Sequence, residues 1–432
     1  MTGTNVASPL LALGEQASSM TVADLPPKAR SAVDDAVRCS LLCIGLGALV
    51  EREMAPGLAE SSSGAPTVGD VFSVMRAALF EGTLGGAADL DPLDLGPAHL
   101  ALPATLAACL AAKRWGGDDG TVLDAAIAGM EVGARLRRSL TGVRPGAGFH
   151  SVSTFGLFAA AAAVARVLRL SPTAFANAIG IALTRAAGLS LNNASTRIGL
   201  THFGWAAAHG LEAGWLAGEG VDASLDVKSA FDVLFAGSTV DFAILEPNRS
   251  HLLASAPIVF KHYPCNIYLN LIARALKDHA GTGIDSIKVV MPSIPHLDQP
   301  DPKDVRQARN SAQAVAAIAA LYPATYRSYT KQFLDASAKG GWRDLMSAVA
   351  VEQDATRATG LERAVIDIEA SRGRHVVVSE SHRMAELTPW SRAHAEQLIG
   401  DLGPDRWVAA VYENGYLEAH DFVAGFLVSH DA

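Results

Sequence analysis

Two segments of the chain hold side chains suited to moving a proton at a small ligand. Lys261 lies in Val259-Phe260-Lys261-His262-Tyr263-Pro264, where it can bind a carboxylate as a point charge or, if desolvated, act as a base. His150 follows Gly148-Phe149 just before an apolar helix, and imidazole changes charge near neutral pH. Each residue also has a plainer interpretation: a solvated boundary lysine, and a helix-start histidine bonded to the backbone.

The elements before Lys261 that must position these side chains are predicted to be helices. Pro27, Pro103 and Ser171-Pro172 are typical helix starts, and apolar residues recur at helical spacing after each of them. The same spacing predicts helices over Val122 to Leu136 and Gly204 to Gly218. The stretch from Thr154 to Val167 is too short to span a bilayer and is predicted to be a buried core helix.

After Lys261 the pattern changes. Ser286 to Met291 alternates polar and apolar residues before Pro292, which predicts a strand. Ala364 to Glu369 and His375 to Ser379 flank a glycine turn and predict a hairpin. Helices are predicted over Ser311 to Leu321 and Thr330 to Val349. We therefore predict a mainly α protein with α+β character: a helical domain over 1–260, a smaller α+β domain over 261–389, and helices over 390–432 that return to the first. A cleft between domains is the expected ligand site.

Composition narrows the functional classes. The formal net charge is -9 and half of the residues are hydrophobic, so attraction to nucleic acid or to an anionic membrane is not expected. Cys39, Cys43, Cys109 and Cys265 lack metal-ligand spacing and are predicted to be buried, reduced thiols. No phosphate-binding loop, zinc helix or nucleophile elbow is present. The N-terminus lacks a signal-peptide pattern, and we expect a cytoplasmic protein.

Five motifs together resemble the MmgE/PrpD family. They are Gly148-Phe149-His150 with Thr154-Phe155-Gly156, the preceding Gly129 to Leu136, the following Ser171 to Gly188, His202 to Gly210, and Lys261 to Cys265. The resemblance runs from about Leu25 to the last helix. It implies a helical domain with an α+β lid domain, a homodimer, and chemistry on small di- and tricarboxylates. Its known members include 2-methylcitrate dehydratases, cis-aconitate decarboxylases and an iminodisuccinate epimerase, and no metal or organic cofactor is implied.

The resemblance also assigns roles to residues. Asp89 and His99 keep the spacing of the family's aspartate and histidine, and a carboxylate beside an imidazole can tune an acid–base pair. The predicted catalytic residues are Asp89, His99, His150 and Lys261. The predicted substrate-binding residues are Arg197, His202, Thr154 and Tyr263. Cys265 is expected to pack rather than to react.

The chain departs from the family pattern at several positions. Leu93 stands where the family has a threonine, Gly199 where it has a lysine, and Ala314 where the decarboxylases have a tyrosine; Pro92 replaces a second aspartate. Arg197 can supply charge near Gly199 but not a base, because guanidinium stays protonated. These departures indicate a changed substrate.

Three functions remain open at this point. The first is a lyase that removes a proton beside a carboxylate or carbonyl, with Lys261, His99 and Arg197 stabilising the enolate-like charge. The second is an isomerase, epimerase or proton-transfer cyclase, which begins with the same step. The third is a non-catalytic relative that binds a ligand. Leu93, Gly199 and Ala314 favour this function. The four retained candidate catalytic residues argue against it: Asp89, His99, His150 and Lys261.

Overall fold

The computed structural model describes residues 8–50, 71–94, 102–115, 118–142, 148–192, 197–246, 251, 258–387, 390–399 and 404–429. The chain forms two compact units. Unit 1 comprises residues 1–193, 197–258 and 410–432, and unit 2 comprises residues 194–196 and 259–409.

In its described residues, unit 1 is built from helices with a few very short strands. The helices are α1 (Pro9–Ser19), α2 (Pro27–Val50), α3 (Val71–Ala87), α4 (Leu102–Ala112), α5 (Asp119–Ser139), α6 (Leu157–Val167), α7 (Pro172–Leu183), α8 (Thr201–Gly218) and α9 (Val227–Leu234). The strands are β1 (Leu93–Asp94), β2 (Leu140–Thr141) and β3 (Thr239–Val240), and β2 pairs antiparallel with β3. Ser171 caps α7 through a bond that it accepts from the Ala174 amide, as its sequence predicts.

Helix α6 lies at the centre of unit 1. Its residues from Phe158 to Ala165 have no exposed surface, so it is surrounded on all sides. Glycines on the neighbouring helices allow this packing: a Cβ at Gly129 of α5 would lie 2.5 Å from the Ala159 carbonyl oxygen, and a Cβ at Gly210 of α8 would lie 2.4 Å from the Ala160 side chain. The backbones of these alanine-rich and glycine-containing helices thus approach one another closely in this core.

Unit 2 alternates helices with a small sheet. The chain enters it within β4 (Ile258–Val259) and continues through α10 (Ile267–Leu276), β5 (Ser286–Pro292), α11 (Val305–Arg309), α12 (Ala312–Leu321), α13 (Lys331–Ala336), α14 (Trp342–Met346), β6 (Val349–Asp354), β7 (Val365–Arg372), β8 (His375–Arg383) and α15 (Arg392–Ile399). Helix α16 (Pro404–Glu413) leads back to unit 1, where α17 (Tyr416–Ser429) lies.

The sheet of unit 2 has four strands in the order β6-β5-β7-β8. β5 pairs parallel with β6 and antiparallel with β7, and β7 and β8 form an antiparallel hairpin. Ile287, Val289 and Met291 alternate with more exposed residues along β5, which is typical of a strand with one covered face. Helices α10 and α12 pack against this sheet.

The predicted fold class is confirmed in its coarse form, because helices dominate and the sheets are small. The predicted strand before Pro292 and the hairpin are also confirmed. The helix predicted over Thr330 to Val349 is wrong. Gly341 adopts a left-handed φ of 89° that ends helical geometry, so two short helices form instead and Val349 begins β6. Within the described residues, no helix combines the length and apolar character needed to cross a membrane.

Candidate active site

A short backbone bridge in unit 1 fixes the position of His150. Phe149 pairs antiparallel with Leu189, the His150 amide donates to the Gly188 carbonyl at 2.9 Å, and the Ser190 amide donates to the Gly148 carbonyl at 2.9 Å. Gly188 has a φ of 99°, and a Cβ there would lie 2.1 Å from Ser153 Oγ and 3.2 Å from His202 Nδ1. Only glycine fits this approach.

The bridge brings His150 against a second histidine from a distant part of the chain. The rings of His150 and His202 stack with their centroids 4.9 Å apart and an angle of 17° between their planes. His202 lies on the first turn of α8 and is buried, whereas His150 is half-buried. Both were predicted as site residues, and the structure places them together. Two imidazoles in contact can supply a base and an acid near neutral pH.

The turn after His150 is supported by two hydroxyls. Ser153 Oγ donates to the His150 carbonyl at 2.8 Å, and Thr154 Oγ1 donates to the Ala187 carbonyl at 3.4 Å. Residues Val152–Gly156 form a π-helical turn, a widened geometry that is frequent at functional sites. Thr154 is completely buried, so it holds the segment leading to Gly188; its predicted contact with substrate stays a prediction.

The acidic loop after α3 begins beside the start of α8. A Cβ at Gly86 would lie 2.7 Å from the Phe203 ring, and that ring has its centroid 6.2 Å from that of His150. Asp89 follows three residues later with a left-handed φ of 57°, which is uncommon for residues other than glycine and occurs preferentially at functional positions. Asp89 is half-buried. The geometry thus places the loop in the same part of unit 1 as the histidine pair.

Two buried residues of opposite charge near this loop were missed by the sequence reasoning. Asp94 and Arg137 are almost completely buried, and the Arg137 guanidinium lies 5.7 Å from the centre of the Phe155 ring. Burial lowers the pKa of Arg137, and the negative charge of Asp94 opposes that effect. The arginine's position in the helix before Gly148-Phe149-His150 was the only available signal.

The Lys261 segment of unit 2 is shaped by one asparagine. Asn270 of α10 has no exposed surface. Its Oδ1 accepts from the amides of His262 at 2.7 Å and Tyr263 at 2.9 Å, and its Nδ2 donates to the carbonyls of Tyr263 at 3.1 Å and Cys265 at 3.0 Å. Lys261 is itself 6 % exposed. The amide therefore holds the turn directly after a buried lysine.

Aromatic and histidine side chains surround this segment within unit 2. Phe260 stacks on Trp390 with centroids 5.4 Å apart, and His262 lies 4.8 Å from His394. Burial, Lys277 and Arg274 lower the pKa of His394. Burial raises the pKa of Tyr263 to about 12, so its phenol stays protonated and serves as a hydrogen-bond donor at neutral pH.

Comparison with known proteins agrees with this arrangement of motifs. The family model described as the MmgE/PrpD N-terminal domain matches residues 12–241, which is more than half of the chain and includes the bridge and both stacked histidines. The chain belongs to the MmgE/PrpD family.

Several curated proteins are similar to this chain over shorter stretches. The cis-aconitate decarboxylase of Homo sapiens is 32% identical over 130 residues, covering 29% of this chain and 27% of that protein. The cis-aconitate decarboxylase-like protein oryM of Aspergillus oryzae is 31% identical over 177 residues, covering 38% and 36%. The cis-aconitate decarboxylase of Aspergillus terreus is 29% identical over 222 residues, covering 48% and 45%. The alignments span less than half the length of these relatives.

The structure describes only some of the remaining predicted site residues. His99 lies outside the described residues, and Arg197 begins a short 3₁₀ turn, Arg197–Leu200, but its side chain is not described. Leu93 and Ala314, which depart from the MmgE/PrpD pattern, are both buried. All four cysteines are buried and outside disulfides, as predicted. That Cys265 packs rather than reacts stays a prediction, and its burial is in line with it.

Proposed function

We propose that this protein is a lyase that acts on a small carboxylate or carbonyl substrate by proton abstraction, without a metal or organic cofactor. The observation that carries the proposal is the stacked pair of His150 and His202, held by a bridge that requires Gly188. The curated relatives are named as cis-aconitate decarboxylases, which supports decarboxylation or dehydration of a related acid. The departures at Leu93, Gly199 and Ala314 favour a diverged substrate.

In this proposal one histidine of the pair acts as a neutral base and the other as an imidazolium acid, because two imidazolium rings 4.9 Å apart would repel. The neutral imidazole takes the proton from the carbon beside the substrate carbonyl or carboxylate, and the electron pair moves into an enolate-like oxygen. The enolate electron pair then returns to form a carbon–carbon double bond while the carbon–oxygen bond breaks. The protonated partner gives its proton to the departing hydroxyl, which leaves as water. In a decarboxylation, the carbon–carboxylate bond breaks instead, and the imidazolium protonates the carbon.

Lys261 fits this chemistry as a buried cation that binds a substrate carboxylate. Asp89 fits as a carboxylate that orients the histidine pair or stabilises its protonated form. His99 is a further candidate catalytic residue, and Arg197 is a further candidate for binding substrate. A double-mutant comparison of His150 and Lys261 tests whether both act in one reaction: residues that serve the same step give losses that do not multiply.

The experiment is solvent exchange in deuterated water. EDTA-treated protein is incubated with cis-aconitate, 2-methylcitrate, citrate and iminodisuccinate, and NMR follows deuterium uptake, loss of water and loss of carbon dioxide. We expect cofactor-independent turnover of at least one acid that His150→Ala abolishes and His209→Ala retains, since His209 lies on the same helix outside the pair. Exchange without elimination would instead indicate an isomerase or epimerase. A folded protein that is silent on all four acids would remove the tricarboxylate proposal.

We also propose a homodimer with a lid-type second domain, from the family resemblance. Exposed apolar side chains in one stretch of unit 1 support an interface: Leu191 is 80% exposed, Ile198 50% and Trp205 44%. Light scattering coupled to size-exclusion chromatography measures the mass. A single-chain mass of 45.0 kDa at micromolar concentration would overturn the dimer.

A further inference from the structure

Tyr329 of unit 2 carries a buried hydroxyl group. The side chain has no exposed surface, and its hydroxyl makes no hydrogen bond within the part of the chain that the structure describes. Its neighbours differ: Ser328 Oγ donates to the Pro323 carbonyl at 2.8 Å, and Thr330 Oγ1 donates to the Arg327 carbonyl at 2.9 Å. A buried donor left unpaired costs about 1–3 kcal/mol, and phenylalanine would avoid this cost.

Hydrogen bonds through Arg309 place Tyr329 near the Lys261 segment. Burial raises the pKa of Tyr329 well above its usual value, and Cys265 and Tyr263 raise it further while Arg309 opposes them. The backbone makes the same connection: the Asn266 amide donates to the Arg309 carbonyl at 3.0 Å, and the Arg309 side chain donates to the Tyr329 carbonyl at 3.2 Å. Tyr329 therefore borders the turn that begins at Lys261.

The groups collected here suit one class of ligand. A phenol that stays protonated is a donor to an anionic oxygen. Arg309, a cation that is 3 % exposed, donates to the Tyr329 carbonyl, and Lys261, which is 6 % exposed, lies two residues before Tyr263 in the chain. Carboxylates accept bonds from such groups and are stabilised by buried positive charge. A carboxylate at this position would supply the hydrogen bond that the described residues do not give this hydroxyl.

Building on the proposed function, we infer that Tyr329 is a substrate-binding residue whose hydroxyl donates a hydrogen bond to a carboxylate oxygen of the ligand. Because Tyr329 and Lys261 are enclosed in the free protein, ligand entry requires a local opening of unit 2.

The first test is Tyr329→Phe, measured for stability and for turnover. We expect a urea midpoint no lower than that of the unaltered protein, because only an unpaired hydroxyl is removed, together with a 10- to 100-fold lower kcat/KM, equivalent to about 1.4–2.8 kcal/mol. Tyr326→Phe is the matched control: Tyr326 is equally buried, and we expect its kcat/KM to stay within about twofold of the unaltered value. A lower midpoint for Tyr329→Phe would show that the hydroxyl is already bonded, and unchanged turnover would show that it does not meet substrate; either result overturns the inference.

The second test does not depend on turnover. The seven tyrosines are replaced by 3-fluorotyrosine, and the Tyr329 fluorine resonance is identified by its loss in Tyr329→Phe. Saturating cis-aconitate, citrate or 2-methylcitrate is expected to shift that resonance and to leave the Tyr326 resonance in place. If the resonance shifts but the protein turns over none of these acids, the inferred Tyr329 binding site stands and only the proposed lyase function is refuted. No shift with any of them would remove the Tyr329 site, whatever the activity.

Discussion

Replacing Asn270 by alanine should loosen the Lys261 segment more than any other single truncation near it. The amide accepts two backbone bonds and donates two. The Cys265 carbonyl belongs to a buried residue, whereas His262 and Tyr263 are half-buried, so water can replace part of what is lost. At about 1 kcal/mol for each bond, with a further penalty for enclosed groups left unpaired, Asn270→Ala should lower the free energy of unfolding by about 4 kcal/mol.

The assay is urea unfolding followed by circular dichroism, with the slope against urea used to check that the denatured state is unchanged. Asn177→Ala is the control, because Asn177 accepts a single 3.4 Å bond from the Ala223 amide and should lose about 0.5 kcal/mol or less. Turnover should fall together with stability in Asn270→Ala, because Lys261 loses its fixed position. Equal losses in the two variants would refute the role given to Asn270.

Three further predictions concern unit 1. Gly188→Ala should lower the free energy of unfolding by about 3 kcal/mol, since a left-handed φ and a clash act together. Gly220 has a similar φ of 86° but open space around it, so Gly220→Ala should lower the free energy of unfolding by only about 1 kcal/mol. Both variants are measured by the same urea assay. Burial opposes protonation of His420, but Glu81, 3.1 Å away, and Asp421 outweigh it and raise the pKa to about 9. This pKa lies above the unfolded value of about 6.5, so the stabilisation of roughly 3 kcal/mol is complete below about pH 6.5 and is lost as the pH rises through about 9. Burial also raises the pKa of the Cys109 thiol to about 12, so iodoacetamide should not label it in the folded protein but should label it in urea, as read by mass spectrometry.

Each of these predictions has a contrary result. Equal destabilisation of the two glycine variants would mean that the approach of Gly188 to Ser153 and His202 is not tight. For His420, the reference is the Glu81→Gln/His420→Gln variant, which lacks both charges. A stability difference between it and the unaltered protein that stays constant from pH 6 to pH 10 would contradict the ion pair. Rapid labelling of native Cys109 would contradict its burial.

Local patterns were sufficient to predict most elements. Ser171-Pro172 predicted a capped helix, and the alternation of Ser286 to Met291 predicted a strand, because capping and one-sided burial act over a few residues. The error at Thr330 to Val349 has the opposite cause. Gly340-Gly341 ends the helix, and Val349 joins a parallel ladder with β5, a distant strand, whose pairing leaves little signal within the segment itself.

In the candidate site, too, local motifs predicted individual residues but not the contacts between them. His150, His202 and Lys261 were predicted from motifs, and His150 and His202 meet in unit 1. Their contact could not be read from spacing, since it depends on the bridge from Gly148 to Ser190 and from His150 to Gly188. Asn270 and Tyr329 were missed for a related reason. An asparagine and a tyrosine in helical or turn segments are ordinary until the fold shows the asparagine bonded four times and the tyrosine hydroxyl without a bond to any described residue.

The central claim is that His150 and His202 act as one proton-transferring unit. The most direct measurement is the rate of deuterium uptake or elimination, with the acid that the unaltered protein converts, in His150→Ala, His202→Ala and the double variant. We predict that each single variant loses at least about 100-fold, and that the double variant falls no more than about tenfold below the weaker single one. Single variants that keep more than about half of the rate, or losses that multiply in the double variant, would contradict the claim.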